Sequence, residues 1–246
     1  MFSNIPCVVC NSPYVLWVTD LTAKDNRGDV SVPLFYCMQC ESFQSPTAEP
    51  LPNGGGVLNW HKKVFNRNLE WSKELLDYLV TKQPKKLKYV LDIGCGIGTL
   101  LFACKNYNIQ GIGYDTDATA IEYGRNQLEL ELKDELWEHS KTLGKKIDLI
   151  ICISLLEHIH FPRNLIKNIV ESLKVHNATA FVSVPLVNKS QWHHIKNHNA
   201  ILGATPPNIH VTHFSDKGLM YAFQYCGAKN FEKITVGGWV GFLIST

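Results

Sequence analysis

Three groups of residues in this 246-residue chain combine the types and spacings that do chemistry. Cys7 with Cys10 and Cys37 with Cys40 make two C-x-x-C pairs, Val90 to Gly98 reads V-L-D-I-G-C-G-I-G, and Leu155 to His160 carries Glu157, His158 and His160. Two C-x-x-C knuckles on hairpin turns bring four thiolates into a tetrahedron, the arrangement preferred by structural zinc. The 26 residues between Cys10 and Cys37 exceed the usual ribbon spacing, and an intervening hairpin absorbs the excess. Four thiolates leave no open coordination position, so a metal there is structural rather than catalytic. Redox dithiols or unliganded core cysteines are the alternatives. The remaining cysteines, Cys95, Cys104, Cys152 and Cys226, are single and scattered, which implies a different job.

The glycine segment reads as a buried strand, a glycine turn and a helix start. Glycine lets the backbone approach a ligand closely, and the helix start offers unpaired N–H groups. A dinucleotide-binding loop would be G-x-G-x-x-G and would set pyrophosphate against that helix start. Here the loop is G-x-G-x-G, Asp92 stands two residues before Gly94, and no lysine follows the last glycine to make a P-loop. A carboxylate at that point repels pyrophosphate and attracts positive charge. Twenty-one residues past Gly94, Asp115 ends the next strand, where an acid accepts both hydroxyls of a ribose. Asp117 then caps the following helix. S-adenosylmethionine meets all these demands, with a ribose, a sulfonium, an ammonium and no phosphate. A nicotinamide oxidoreductase is disfavoured by the same residues, and a bare strand-to-helix turn is the plain alternative.

Positioning these groups requires an alternating fold. The first 45 residues predict a hairpin, Tyr14 to Thr19 and Val32 to Tyr36, between the two knuckles. Ser45 to Gly56 gathers Pro46, Pro50, Pro52 and a glycine triplet, which marks a boundary. Apolar spacing predicts a helix from Asn59 to Lys82, stopped by Pro84. Trp60, His61, Phe65 and Trp71 on it either close a pocket or pack the core. Strands follow at Tyr89 to Ile93, Ile109 to Tyr114, Ile147 to Ser154 and Ala178 to Pro185, with helices from about Thr99 and Asp117. Strands alternating with helices predict an α/β, doubly wound, mostly parallel sheet covered on both faces. No strand can be placed firmly in Glu129 to Lys146. Gln191 to Asn208 is polar and His-rich, with His193, His194 and His198, and reads as an insertion or lid near 186–213. The chain closes with a helix, Lys217 to Cys226, and a hairpin of Phe231 to Val236 and Trp239 to Ser245 turning at Gly237 and Gly238. The expected division is a module over 1–45, a linker over 46–58 and a main domain over 59–246.

Lys and Arg number 24 against 22 Asp and Glu, so there is no broad basic field of the kind that drives nucleic-acid binding. No apolar run reaches membrane-helix length, and Met1 to Cys10 lacks a signal-peptide pattern, so a cytoplasmic protein is expected.

Taken together, Val90 to Gly98, the acid of Gly113-Tyr114-Asp115, Ile147-Asp148-Leu149-Ile150 and Leu155-Leu156-Glu157-His158-Ile159 resemble class I S-adenosylmethionine-dependent methyltransferases. The likeness covers about Lys85 to Thr246 and is nearest to small-molecule O-methyltransferases of the ubiquinone-biosynthesis and sugar-tailoring types. It implies a Rossmann-like seven-stranded sheet with an antiparallel last strand. It further implies that Asp92, Gly94, Cys95, Gly96, Gly98, Asp115, Thr116 and Leu155 bind S-adenosylmethionine. The N-terminal module resembles zinc-ribbon-like segments of some sugar and ribosomal-RNA methyltransferases, with Cys7, Cys10, Cys37 and Cys40 as zinc ligands. One departure is the missing acid that binds adenine after the third strand, for which Glu135 or Trp137 is the candidate substitute.

The acceptor end is read from position. In open parallel sheets ligands lie beyond the carboxyl ends of strands, which points to the segment after Ser154. His158 is the candidate base, or else Glu157 and His158 only cap and orient the next helix. His210 and His213 of I-H-V-T-H-F-S complete the candidate catalytic set, since related enzymes carry a similar segment beside the substrate. The expected activity is O-methylation of a small molecule, such as a sugar or sugar phosphate. An RNA methyltransferase gripping RNA through the zinc module, or a non-catalytic cofactor-binding module, are the rivals; four lysines between Lys82 and Lys88 are the one basic run. Oligomeric state is not legible.

Overall fold

The computed structural model describes residues 4–25, 28–45, 56–82, 86–139, 144–187 and 210–246. Of the sequence expectations, the linker over 46–55, Pro84 and His193, His194 and His198 lie outside the described residues. Among the described residues no helix is long and apolar enough to cross a membrane. Chain contacts divide the protein into two units, and the division differs from the one expected from composition. One unit joins Met1–Leu51 to Ser154–Lys167 and Val184–Ala228, and the other joins Pro52–Ile153 to Asn168–Ser183 and Lys229–Thr246. The N-terminal module therefore does not stand apart, because its strands pair with chain that lies far downstream.

In the first unit β1 (Val15–Asp25) and β2 (Gly28–Cys37) form the predicted hairpin, longer at its tip than the apolar runs suggested. β3 (Phe43–Gln44) pairs with β2 on one side and with β9 (Thr212–His213) on the other, giving the order β1-β2-β3-β9. Val18, Leu21, Val32, Leu34, Phe43 and Val211 make its core. The helix α5 (Asp216–Tyr225) follows, with Ser215 as N-cap accepting from the Gly218 amide.

The second unit holds seven strands: β4 (Tyr89–Ile93), β5 (Gln110–Asp115), β6 (Leu132–Asp134), β7 (Leu149–Ile153), β8 (Thr179–Ser183), β10 (Asn230–Val236) and β11 (Trp239–Ser245), in the order β10-β11-β8-β7-β4-β5-β6. β4 pairs in parallel with both β5 and β7, and β11 runs antiparallel to β8 and β10. The chain winds outward from β4 to β6 and returns to β7, so β4 stands at the switch point where open α/β sheets bind ligands. β6 fills the region where no strand could be placed. It is only three residues long and just one of them is buried, so it carries no run for periodicity to detect.

The apolar stripe predicted for α1 (Gly56–Lys82) is real: Leu75, Leu76 and Leu79 are fully buried with Val90, Leu149, Ile151 and Phe181. Each such side chain contributes about 1.5–3 kcal/mol by burial. Trp71 of α1 meets Trp239 edge-on at 5.6 Å, and Phe65 meets Phe102 of α2 (Thr99–Cys104) at 5.8 Å, so both pack against aromatic rings of the same unit while half-buried. Asp117 caps α3 (Ala118–Leu128) as expected, accepting from the amides of Thr119 and Ala120. Helix α4 (Pro162–His176) runs between β7 and β8 in the chain.

Candidate functional sites

In the second unit, the loop after β4 is shaped by three left-handed glycines, Gly94, Gly96 and Gly98, at φ 76°, 53° and 81°. Gly98 is itself the N-cap of α2 and supplies no side-chain cap. The loop is tied to β5: the Gly94 and Cys95 amides donate to the Tyr114 carbonyl at 2.8 and 3.1 Å. Asp115 braces it further, its Oδ2 accepting from the Gly96 amide at 2.8 Å and its Oδ1 from the Asp117 amide at 2.9 Å. A carboxylate oxygen has two acceptor directions, so each retains capacity for a ligand hydroxyl. Asp92 is 5% exposed, and burial, with Asp115 beside it, pushes its carboxyl up to about 7.

One wall of this cradle was only half legible. A Cβ on Gly96 would lie 2.4 Å from Cε1 of His61, so the imidazole of α1 rests directly on the loop. Burial lowers the His61 pKa, against the pull of Asp115 and Asp117. Of the four candidate pocket-closing residues on α1, His61 is the one set against the glycines. Cys95 is buried beneath Gly113, whose added Cβ would meet its sulfur at 2.6 Å, so its thiol faces the core rather than a ligand. Trp137 is buried with no partner for its indole N–H, whereas the Glu135 position is exposed. Leu155 belongs to the other unit.

The cradle fits a cationic, phosphate-free nucleoside on its own geometry: a buried acid lifted by a second acid is relieved by a positive charge, and the loop offers no cation for a phosphate.

In the first unit, Cys7 and Cys40 sulfurs lie 3.6 Å apart, as do those of Cys10 and Cys37, and all four fall within 4.8 Å of one another. Thiolates at about 2.3 Å from one tetrahedral ion stand about 3.8 Å apart, so the set fits structural zinc with little adjustment. The second knuckle also holds the chain downstream. Ser215 Oγ donates to the Cys40 carbonyl, and its amide donates to Ser42 Oγ at 3.1 Å.

That connection fixes the histidines. The Ser45 amide donates to the Val211 carbonyl at 2.8 Å, the Val211 amide to the Glu157 carbonyl at 2.9 Å, and Thr212 Oγ1 to the Ile159 carbonyl at 3.2 Å. His210 and His158 rings meet edge-on at 4.8 Å, and His210 and His213 stand 6.2 Å apart. The three candidate catalytic histidines are therefore brought together. They differ in access: the His158 side chain is 36% exposed, while His210 and His213 are buried. Burial, and then a neighbouring imidazole, lowers His210 to about 4 and His213 to about 3, so both are neutral at pH 7.

Glu157 is the residue that sequence reasoning undervalued. It is 1% exposed, neither carboxylate oxygen has a hydrogen-bond partner, and burial pushes it up to about 8. Its carboxylate therefore caps no helix. A lone acid in the apolar string Leu155-Leu156-Glu157-His158-Ile159 was the available signal.

A family model described as a methyltransferase domain matches residues 60–233. The chain is similar to a ubiquinone biosynthesis O-methyltransferase of Coxiella burnetii, 26% identical over 140 residues, which are 55% of this chain and 60% of the relative. It thus spans about three fifths of the length of that relative. Among solved structures, DesVI of Streptomyces venezuelae matches at 14% identity and a TM-score of 0.55, over 76% of this chain and 94% of that one. Magnesium protoporphyrin IX methyltransferase of Synechocystis, solved with bound S-adenosylhomocysteine, matches at 14% identity and 0.50, over 76% and 87%. At these identities the structural likeness is one of fold. The family match covers the glycine loop, both acids and the Glu-His segment, and by it this chain belongs to the methyltransferase domain family, with the fold of its S-adenosylmethionine-dependent members.

Proposed function

We propose that the protein transfers a methyl group from S-adenosylmethionine to a hydroxyl of a small molecule. The observation that carries this is the pair Asp92 and Asp115 around a lysine-free glycine loop, in a chain of this family. When bound, the cofactor supplies an electrophilic methyl on a sulfonium. Asp115 would hold the ribose hydroxyls, Asp92 would face the positive charge, and Gly94, Gly96 and Gly98 would let the backbone approach. The four cysteines would hold a structural zinc.

Activation of the acceptor falls to the Glu157, His158 and His210 cluster. It starts four residues after β7 ends, the chain position at which open parallel sheets place ligand-contacting residues. His158 is its member open to solvent, and the hydroxyl proton leaves through it. The names of the ubiquinone-biosynthesis relatives favour a hydroxyl acceptor, and the resemblance to sugar-tailoring enzymes extends the class to sugars and sugar phosphates. The test is incubation of the full chain with methyl-labelled cofactor and separate phenolic and sugar panels, with products read by mass spectrometry. Label on a small-molecule oxygen is expected. Failure to bind S-adenosylhomocysteine in calorimetry, or label found only on RNA from a cell extract, would overturn the reading.

A further inference from the structure

A carboxylate buried without any partner is among the most costly arrangements a fold can keep, and native structures rarely keep one without a purpose. Glu157 is such a group, with both oxygens buried and unbonded. Two imidazoles stand beside it: its Oε1 is 4.0 Å from His158 Nε2, and one ligand atom from each of Glu157, His158 and His210 falls within 4.8 Å of the others. Donors at about 2.1 Å from a shared ion stand about 3–4 Å apart, so closing this set needs movement of less than about 1 Å. Nor is the set an accident of loose loops. The hydrogen bonds from Val211 to Glu157 and from Thr212 to Ile159 lock the two segments in register, and β3 pins the second of them through His213.

We infer that Glu157, His158 and His210 form a binding site for one divalent transition-metal ion, separate from the four-cysteine site. Two imidazoles and one carboxylate suit zinc, iron, cobalt or manganese rather than calcium or magnesium, which take all-oxygen sets. Three protein ligands leave positions open, and the partial exposure of His158 places the opening on the solvent side. The ion would take up the acceptor through oxygen and ease loss of its hydroxyl proton. Acceptors with two adjacent oxygens, which chelate, would bind best. This use of the ion rests on the reading of the cluster as the acceptor end, whereas the site itself does not.

The full chain, with its cysteine site filled by one zinc, is titrated with Mn²⁺ and followed by the electron paramagnetic resonance of the free ion. A parallel sample is dialysed against Zn²⁺ and its metal counted. Manganese passes over thiolate ligands, so the cysteine site does not interfere. One additional ion per chain is expected in at least one of the two experiments, with affinity reduced at least about tenfold by Glu157→Gln and by His210→Ala. Should those buried variants fail to fold, His158→Asn at the half-exposed position carries the same expectation. Absence of any ion beyond the cysteine site, or variants that bind as the parent does, would overturn the inference. Neither readout needs methyl transfer. Ion binding without transfer would leave the site standing and count against the proposed activity, whereas transfer without ion binding would do the reverse.

Discussion

Two carboxylates in this molecule are buried to nearly the same degree, and their surroundings give them different uses. Asp92 lies in the middle of a parallel sheet, with a second carboxylate, Asp115, as its charged neighbour. Glu157 lies in a 3-10 turn (Leu156–His158) beside imidazoles. Burial lifts both, to about 7 and about 8. Two acids together create a demand for an organic cation that needs no fixed coordination geometry, whereas an acid with two imidazoles offers a ligand set. Burial thus says that a carboxylate awaits something, and its neighbours say what.

The strongest way to break this contrast is to remove the brace on one side only. Cys37→Ser with Cys40→Ser should abolish zinc content and loosen the β3–β9 pairing that Cys40 and Ser42 secure through Ser215. Turnover should fall by about a hundredfold or more, with the affinity for S-adenosylhomocysteine within about threefold of the parent, because the cradle is built in the other unit. Calorimetry and metal analysis on the same sample check both halves. Equal loss of cofactor binding would mean that the two sites do not depend on separate elements.

Next in size is Asp115→Ala. It removes charge-assisted bonds to Gly96 and Asp117 as well as the ribose acceptor, so cofactor affinity should drop by about ten- to a hundredfold. His158→Ala is its counterpart on the other side. It should lower kcat by about tenfold or more and leave cofactor affinity unchanged.

A third prediction uses the lifted Asp92. Its pKa rises from 3.8 to about 7 on folding, so its contribution favours the native state below pH 3.8 and is lost as pH climbs through 7. Ligand-free protein should therefore lose stability between about pH 4 and pH 7 and level off above that, and Asp92→Asn should remove that slope in chemical denaturation. Cofactor binding should run the opposite way. Only the ionised acid attracts the sulfonium form, so S-adenosylmethionine should bind about tenfold more tightly at pH 8 than at pH 6, with a smaller change for uncharged-sulfur S-adenosylhomocysteine. A flat profile for both would separate Asp92 from the cofactor's charge.

How far the sequence disclosed these regions follows from how local their signals are. The strand, glycine loop and acid around Asp92 were readable because they follow one another at fixed intervals, and Tyr89–Ile93 and Thr99 fall where the pattern put them. The hairpin turn at Gly237 and Gly238 was equally local. The pairing of β3 with β9 joins residues about 170 positions apart through two-residue strands, too short to leave a periodic trace. The histidine cluster inherits that difficulty: His158, His210 and His213 could be named singly, but their convergence on Glu157 depends on that pairing. Ser154 shows the same limit at one residue. The apolar run suggested that the strand continued through it, yet the strand ends at Ile153 and Ser154 takes a left-handed φ of 52°.

The smallest predicted effect concerns the His61 wall of the cradle and is best read as a coupling. His61→Ala removes a neutral ring from the glycine loop and should weaken cofactor binding by about fivefold or less. Gly96→Ala should cost more, since it places a Cβ at φ 53° and drives it into that ring. In the double variant the collision is gone and only the backbone strain remains. Its loss should therefore be smaller than the product of the two single losses, by about two- to fivefold. Strict additivity in calorimetric affinities would mean that the ring moves off the loop before ligand enters, and that His61 is a gate over the glycines rather than a fixed wall of the bound state.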